Sequence, residues 1–339
     1  LTWKTFFRWA AHAQLLPVLE SGEEILVGGQ AVMEGVMMRA PHSYCVAVRR
    51  PDGSYATEEA RLDKLSDKYP LLKYPIIRGV GVLVYSMWLG LKALRFSTNI
   101  ALEAEMAREA AEKGEAVPVA DGKKSGEIPQ WMMVLQIIIS LGFFILMYKF
   151  LPLLIATGLQ KAFPILGGWI VLNLLDGVVR LAIFIGFLWL LSLSKEIHRV
   201  FEYHGAEHRV VFNFESGKPL TVANAQGFTT WHPRCGTSFL LVVMLVSIAV
   251  YALIPTSTFW ARFLTRILAL PLIMGLSYEI IKFAAKHKGS LLAWITAPGL
   301  WSQRITTQPP SDDQVEVAIR ALDGAMEIEK QVGGELVIA

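Results

Sequence analysis

The sequence predicts a mainly α-helical polytopic membrane protein, with about four transmembrane helices and a cytosolic part containing a small β-hairpin and amphipathic helices. Three observations predict it. The 339 residues are 53% apolar and only 18% charged, and mean hydropathy is positive, which sets the chain apart from ordinary soluble enzymes. Four runs match or approach the roughly 20 apolar residues that a helix needs to cross hydrocarbon. Lys and Arg are spread unevenly among the segments that join these runs.

The runs are 131–151, 166–193, 237–255 and about 259–281. The segment between the second and third carries Lys195, Arg199, Arg209, Lys218 and Arg234, and the tail after the fourth carries Lys282, Lys286, Lys288 and Arg304. The opposite connections hold Lys161 at 153–165 and no base at 256–258. Basic residues collect on the cytosolic side, so both termini and the middle loop are expected there, in a multi-pass protein of the cytoplasmic membrane. The lipid bilayer is the first partner implied, followed by a membrane-protein partner or a second copy. A net charge of +3, from 32 basic and 29 acidic residues, gives no reason to expect nucleic acid. Cys45 and Cys235 fall in segments assigned to the reducing cytosol, so no disulfide is expected. A basic start, apolar centre and small-residue cleavage site do not follow one another near residue 1, so no removable signal is expected.

Boundaries follow from composition. Residues 1–103 form an N-terminal cytosolic and interfacial region, 104–128 a charged linker, 129–194 the first two spans, 195–236 the cytosolic loop, 237–281 the last two spans and 282–339 a C-terminal region. Within the first, residues 1–16 mix Trp3, Phe6, Phe7 and Trp9 with Lys4 and Arg8, as a helix lying on a membrane surface does. Residues 43–50 and 54–58 flank Pro51-Asp52-Gly53, a turn sequence that predicts the hairpin. The apolar stretch 71–91, interrupted by Lys73, Pro75 and Arg78, reads as interfacial, with re-entry or a fifth span as alternatives. Residues 103–127 have too few large apolar groups to order themselves. Near the C-terminus, Ser311-Asp312-Asp313-Gln314 is a capping box, followed by Val315, Ile319, Leu322 and Met326 at helical spacing, so an amphipathic helix should dock on a cytosolic surface.

The middle loop carries the chemistry. His204-Gly205-Ala206-Glu207-His208 places two imidazoles and a carboxylate on one helical face, because positions three and four apart share a side. H-x-x-E-H is the spacing of inverted zincins, whose histidines hold Zn²⁺ while the glutamate takes a proton from metal-bound water. Such water has a pKa of about 7. A third donor is offered downstream by His232 or Cys235. A lone histidine is usually a structural or surface group; two histidines, a glutamate and a His/Cys pair together favour a divalent metal, zinc by donor type. Glu34 and Arg39 stand among apolar residues of 28–39, where a charge needs a partner. They are read either as an ion pair anchoring a surface helix, or as Glu34 reaching the metal and Arg39 an anionic substrate. Within the second run, Asn173, Asp176 and Arg180 share a face, and Arg262 and Arg266 open the fourth. An Asp176–Arg266 ion pair between helices is one reading; a transport pathway is the other.

The runs GGQAVMEGVMMR, YHGAEHR, LTVANAQ, HPRCGTSF and PGLWSQRITTQPP followed by DDQVEVAI resemble the DUF1385 membrane protein family, often labelled a predicted metal-dependent enzyme. The resemblance extends from about residue 28 to 325, the charged linker apart. It marks Glu34, Arg39, His204, Glu207, His208, His232, Arg234 and Cys235, and departs at Arg209, where the family often has lysine. Together these readings predict a metal-dependent hydrolase at the cytosolic face. In it His204, His208 and His232 or Cys235 bind zinc, Glu207 is the general base, and Arg39 or Arg234 steadies negative charge. The substrate expected is a lipid headgroup, a peptide or a membrane protein. The rivals are a membrane scaffold or assembly factor with a structural His/Cys cluster, and a small-solute carrier using the Asp176/Arg180 stripe.

Overall fold

In a computed structural model, the residues described are 27–63, 69–113, 130–233, 235–286 and 291–332. The helix expected over 1–16, residues 114–127 of the expected linker, and Arg234 lie outside them.

The described chain opens with an antiparallel meander: β1 (Gly28–Val32), β2 (Gly35–Arg39), β3 (Ser43–Arg49) and β4 (Tyr55–Arg61), adjacent in that order. The expected hairpin is its second half. Asp52 Oδ1 accepts from the Ser54 N–H at 2.9 Å, and Gly53 takes φ 84°, the left-handed conformation such a reversal needs. The surface helix considered for 28–39 is not formed. That segment makes β1 and β2, closed by Met33 and Glu34, with Val32 opposite Gly35 and Glu34 at φ 51°. Both faces of the sheet are covered, so β2 and β3 read as continuous apolar runs in which a strand's alternation is invisible.

A 37-residue helix, α1 (Ile77–Lys113), covers one face. Leu89, Ala93 and Ile100 pack beneath Val32, Met37 and Val46. The opposite side of α1 exposes Val84, Met87, Trp88 and Leu91, three and four apart, as one stripe. The helix continues past Glu103 to Lys113, so its register, not composition, sets where the expected linker begins.

An apolar helix α2 (Gln130–Ile145) passes through a π-helical turn at Leu146–Phe150 into α3 (Leu151–Ala162). Then come α4 (Trp169–Ser192), α5 (Lys195–Glu215) and the short α6 (Val222–Gln226). After α7 (Gly236–Ala252), α8 (Phe259–Leu268) and α9 (Leu270–Lys286) meet at a 48° bend. Pro271 explains the bend: it has no N–H to give and its ring crowds the preceding turn. The chain ends with α10 (Leu291–Thr306) and α11 (Asp312–Val332). Among the described residues three helices are long and apolar enough to cross a membrane, namely α1, Val134–Ala162 and α4; the bent α8–α9 pair makes a fourth. At 17 residues α7 is shorter than these.

The amphipathic helix is α11, and the sheet is its dock. Gln314 Oε1 accepts from the Ser311 N–H at 2.9 Å, one half of the expected capping box. Val315, Ala318 and Leu322 join Val36, Met38 and Ala47 of the sheet with Tyr203, Ala206 and Val210 of α5 in one core. A buried polar contact fastens the far end, where His42 Nδ1 lies 2.7 Å from Glu329 Oε1 and Ser43 Oγ donates to the Ala325 carbonyl at 2.7 Å. Strands 28–61, helix α5 and helix α11 thus form one body, with α1 on the opposite face of the sheet.

Candidate metal centre

Helix α5 starts at a Ser194 cap and carries His204, Glu207 and His208 on one face, as the spacing predicts. The metal-capable atoms of His204, His208 and Cys235 all lie within 4.8 Å of one another. His204 Nε2 is 3.2 Å from Cys235 Sγ, and the two imidazole centroids are 4.5 Å apart. A tetrahedral zinc with Zn–N about 2.0 Å and Zn–S about 2.3 Å separates its donors by about 3.5 Å. The His204–Cys235 pair would open slightly and the wider pairs would close to reach that spacing.

The outer contacts decide which ring nitrogens are available. His204 Nδ1 donates to the Thr306 carbonyl at 2.8 Å, and His208 Nδ1 donates to the Thr230 carbonyl. Carbonyls only accept, so both Nδ1 atoms carry the proton and both Nε2 atoms present lone pairs toward the thiol. This is how metal-ligating histidines are oriented. Burial and the neighbouring His204 push the His208 pKa down to about 4, against the opposing pull of Cys235. His208 is therefore neutral at pH 7, the form that binds a metal.

Two glycines let the backbones approach. A Cβ on Gly205 would strike the Gln308 carbonyl oxygen, so glycine brings α5 against the 306–308 segment that holds His204. A Cβ on Gly29 would lie 2.6 Å from Glu207 Cγ. The β1 motif therefore belongs to this site as the floor beneath Glu207, whose Oε2 is 3.4 Å from His208 Nε2.

His232 is adjacent but outside the three-donor group. Its ring centroid lies 5.5 Å from that of His208, and its Nε2 is 3.7 Å from Glu215 Oε2. Burial pushes its pKa down to about 4, against the pull of Glu207. Gln303 clamps its backbone: Oε1 accepts from the His232 N–H and Nε2 donates to the His232 carbonyl, each at 2.7 Å. Of the two downstream donors, then, Cys235 is the one grouped with His204 and His208.

Glu34 and Arg39 do not pair with each other. The Glu34 carboxylate is bound by Arg199, with Nη2 to Oε2 at 2.7 Å, and by the Tyr203 hydroxyl at 3.2 Å. Arg39 lies on the α1 side of the sheet, over the Tyr85 ring at 5.5 Å, opposite the face that α5 covers. Strand alternation sends it there. Sequence reasoning missed Gly205, Glu215, Thr230, Gln303 and Thr306. Gln303 and Thr306 had a signal in the PGLWSQRITTQPP run and Gly205 in YHGAEHR, whereas Glu215 and Thr230 had none.

Asp176 and Arg266 do meet, at 3.4 Å, and Asp176 also pairs with Arg180 one turn along α4.

A mainly helical chain, with three to four helices apolar enough to span a membrane, a small antiparallel sheet and a largely buried His/His/Cys cluster, defines the class. The chain belongs to the DUF1385 family, described as "Protein of unknown function (DUF1385)", whose profile matches residues 74–328. It is also 33% identical over 309 residues to "Uncharacterized protein YqhQ" of Bacillus subtilis (strain 168), covering 89% of this chain and 92% of that protein. No solved structure matches. The family profile leaves out the β1–β2 motif.

Proposed function

We propose that this is a multi-pass protein of the cytoplasmic membrane that binds a divalent metal, zinc by its donors, at His204, His208 and Cys235, and works as a hydrolase at the cytosolic face. One observation carries the reading. Both imidazoles commit Nδ1 to backbone carbonyls, leaving two Nε2 atoms and a thiol converging on one point. Three protein donors leave a position for a substrate. Zinc bound there supplies Lewis-acid polarisation of a carbonyl or phosphoryl group. Glu207, beside His208 and outside the donor group, is placed to hold and return a proton as general base. Arg39 has no part in it.

The topology is supported by packing. The strands, α5 and α11 share one core, which is what segments on a common side of the membrane would do, as their bases suggest. Helix α1 spends its middle against the sheet and exposes an apolar stripe opposite, which suits a helix lying in the interface rather than a fifth span.

A second reading is favoured by burial. His208 is 2% and Cys235 8% exposed, and the donors join α5, the start of α7 and the end of α10, so a metal there would tie the polar body to the apolar helices as a structural site does. Metal analysis of the detergent-purified chain, followed by cobalt replacement, separates the readings. We expect about one equivalent of metal, lost in His208→Ala, and reduced about 10–100-fold in affinity by Gly205→Ala through the outer contacts. An added monodentate anion should shift the cobalt absorption bands if a position is open. Unmoved bands would favour the structural site, and absence of metal from the wild-type chain would end both readings.

A further inference from the structure

Among the described residues, the second buried polar cluster does not balance its charge. Lys149, Arg180 and Arg266 are 4%, 2% and 1% exposed, and the charged groups acting on Lys149 are Arg180, Asp176 and Arg266. Three cations thus surround one carboxylate. Guanidinium does not lose its proton in proteins, so even a neutral Lys149 would leave two positive charges on one negative.

The cluster gathers around Tyr251. Its ring lies 5.6 Å from Lys149 Nζ, 5.3 Å from the Arg180 guanidinium and 4.9 Å from that of Arg266. Lys149 Nζ donates to the Tyr251 hydroxyl at 3.1 Å, Arg266 Nη2 donates to Asn173 Oδ1 at 3.0 Å, and Arg180 donates to Asp176 and to Ser247 Oγ. After these contacts Arg180 Nε, Arg266 Nε and Asp176 Oδ1 make no hydrogen bond among the described residues. Buried donors left without an acceptor are costly, and buried excess charge more so. Lys149 also stands in the π-helical turn, a local distortion often found at functional sites.

A shallow surface depression lined by Gln160, Trp169, Thr256, Ser257 and Arg262 lies at one end of the apolar helices. Two of its residues are one helical turn from the cluster: Asn173 donates to the Trp169 carbonyl and Arg266 to the Arg262 carbonyl. Arg262 lies over the Trp169 ring at 5.4 Å and adds a cation on that side.

We propose that Lys149, Arg180 and Arg266 form a buried binding site for a small inorganic anion of the chloride or phosphate class. The site rests on burial alone and is independent of the metal centre. The anion offsets the excess charge and accepts from the guanidinium Nε groups, while Asp176 holds the two arginines in place.

The test is thermal unfolding of the full chain in detergent, followed by tryptophan fluorescence at constant sodium and constant ionic strength. Sodium gluconate, whose anion is bulky, is replaced stepwise by chloride in one arm and by phosphate in another. The melting temperature should rise with the logarithm of one anion's concentration, as it does when a ligand binds only the native state. The arm that rises identifies the anion. Lys149→Met should weaken the apparent affinity about tenfold or more by removing one nearby cation, whereas Lys161→Met, an exposed control, should not. Equal melting temperatures for the wild-type chain in all three salts would overturn the proposal, whether or not the Lys149 variant folds. A dependence equal in wild type and Lys149→Met would overturn this placement of the site.

Discussion

The His204–His208–Cys235 centre and the Asp176–Arg180–Arg266 cluster are both buried polar sites where helices meet, but they are finished differently. At the first, the surrounding backbone does the finishing: Thr306 and Thr230 carbonyls take the two Nδ1 protons and Gln303 holds the His232 main chain. At the second, side chains satisfy one another, and unpartnered guanidinium nitrogens and excess positive charge remain. Neutral donors can wait for a metal at little cost. Buried charges cannot wait, because each needs a counter-charge for the chain to stay folded. Losing a residue from the first site should therefore cost binding, and losing one from the second should cost the fold.

The largest effect is expected where that contrast is sharpest. Asp176→Asn leaves Arg180 and Arg266 with no carboxylate at a site 1% exposed, and should destabilise the chain by about 3–5 kcal/mol. Exchanging the charges, Asp176→Arg with Arg266→Asp, should restore only part of the loss. Arg180 shares the same carboxylate oxygen, so the exchanged chain sets it beside a new cation. Detergent unfolding curves for the two variants and the wild-type chain check this. Full recovery in the exchanged chain would reduce the cluster to a simple pair, and a stable Asp176→Asn would mean that the arginines do not depend on it.

The pH response should come from the other region. His208 and His232 have folded-state pKa values pushed down to about 4 from the ordinary 6.5, chiefly by burial. The unfolded chain therefore takes up protons first as pH falls. Stability is complete above about pH 6.5 and declines toward pH 4, by up to about 1.4 kcal/mol per pH unit for each histidine in the metal-free chain. Melting temperature measured from pH 7 to pH 5 should fall, and His232→Gln should remove about half of the slope. A melting temperature level across that interval would mean that the rings are solvated or already charged.

The two regions also differed in how far their residues could be read from the chain. Helix spacing alone placed His204, Glu207 and His208 together, because i, i+3 and i+4 geometry is local. The same rule placed Asn173, Asp176 and Arg180 on one face, and the positions of the bases suggested that Arg266 reaches them. What local rules could not supply was long-range pairing. Lys149, in the π-helical turn, meets Tyr251 about a hundred residues away, and Thr306 meets His204 where Gly205 lets two backbones touch. The 28–39 segment misled because a strand covered on both faces loses its alternation, and with it the sign that Arg39 points away from α5. The capping box before α11 was plain in sequence, whereas its dock required the whole sheet.

Glu34 gives the smallest expected effect and sharpens the boundary of the proposed metal centre. Its carboxylate is 38% exposed and that of its partner Arg199 48%. Exposed pairs of this kind contribute about 0–1 kcal/mol. Glu34→Gln keeps the shape of the turn, still accepts from Tyr203, and removes only the charge that Arg199 meets. Unfolding should shift by less than about 1 kcal/mol, and bound metal should stay at the wild-type ratio, because the donors converge on α5 and α7 while Glu34 is held at the β1–β2 turn. A fall in metal content in this variant would move Glu34 into the coordination shell and turn the three-donor set into a four-donor one, which would leave no position for a substrate.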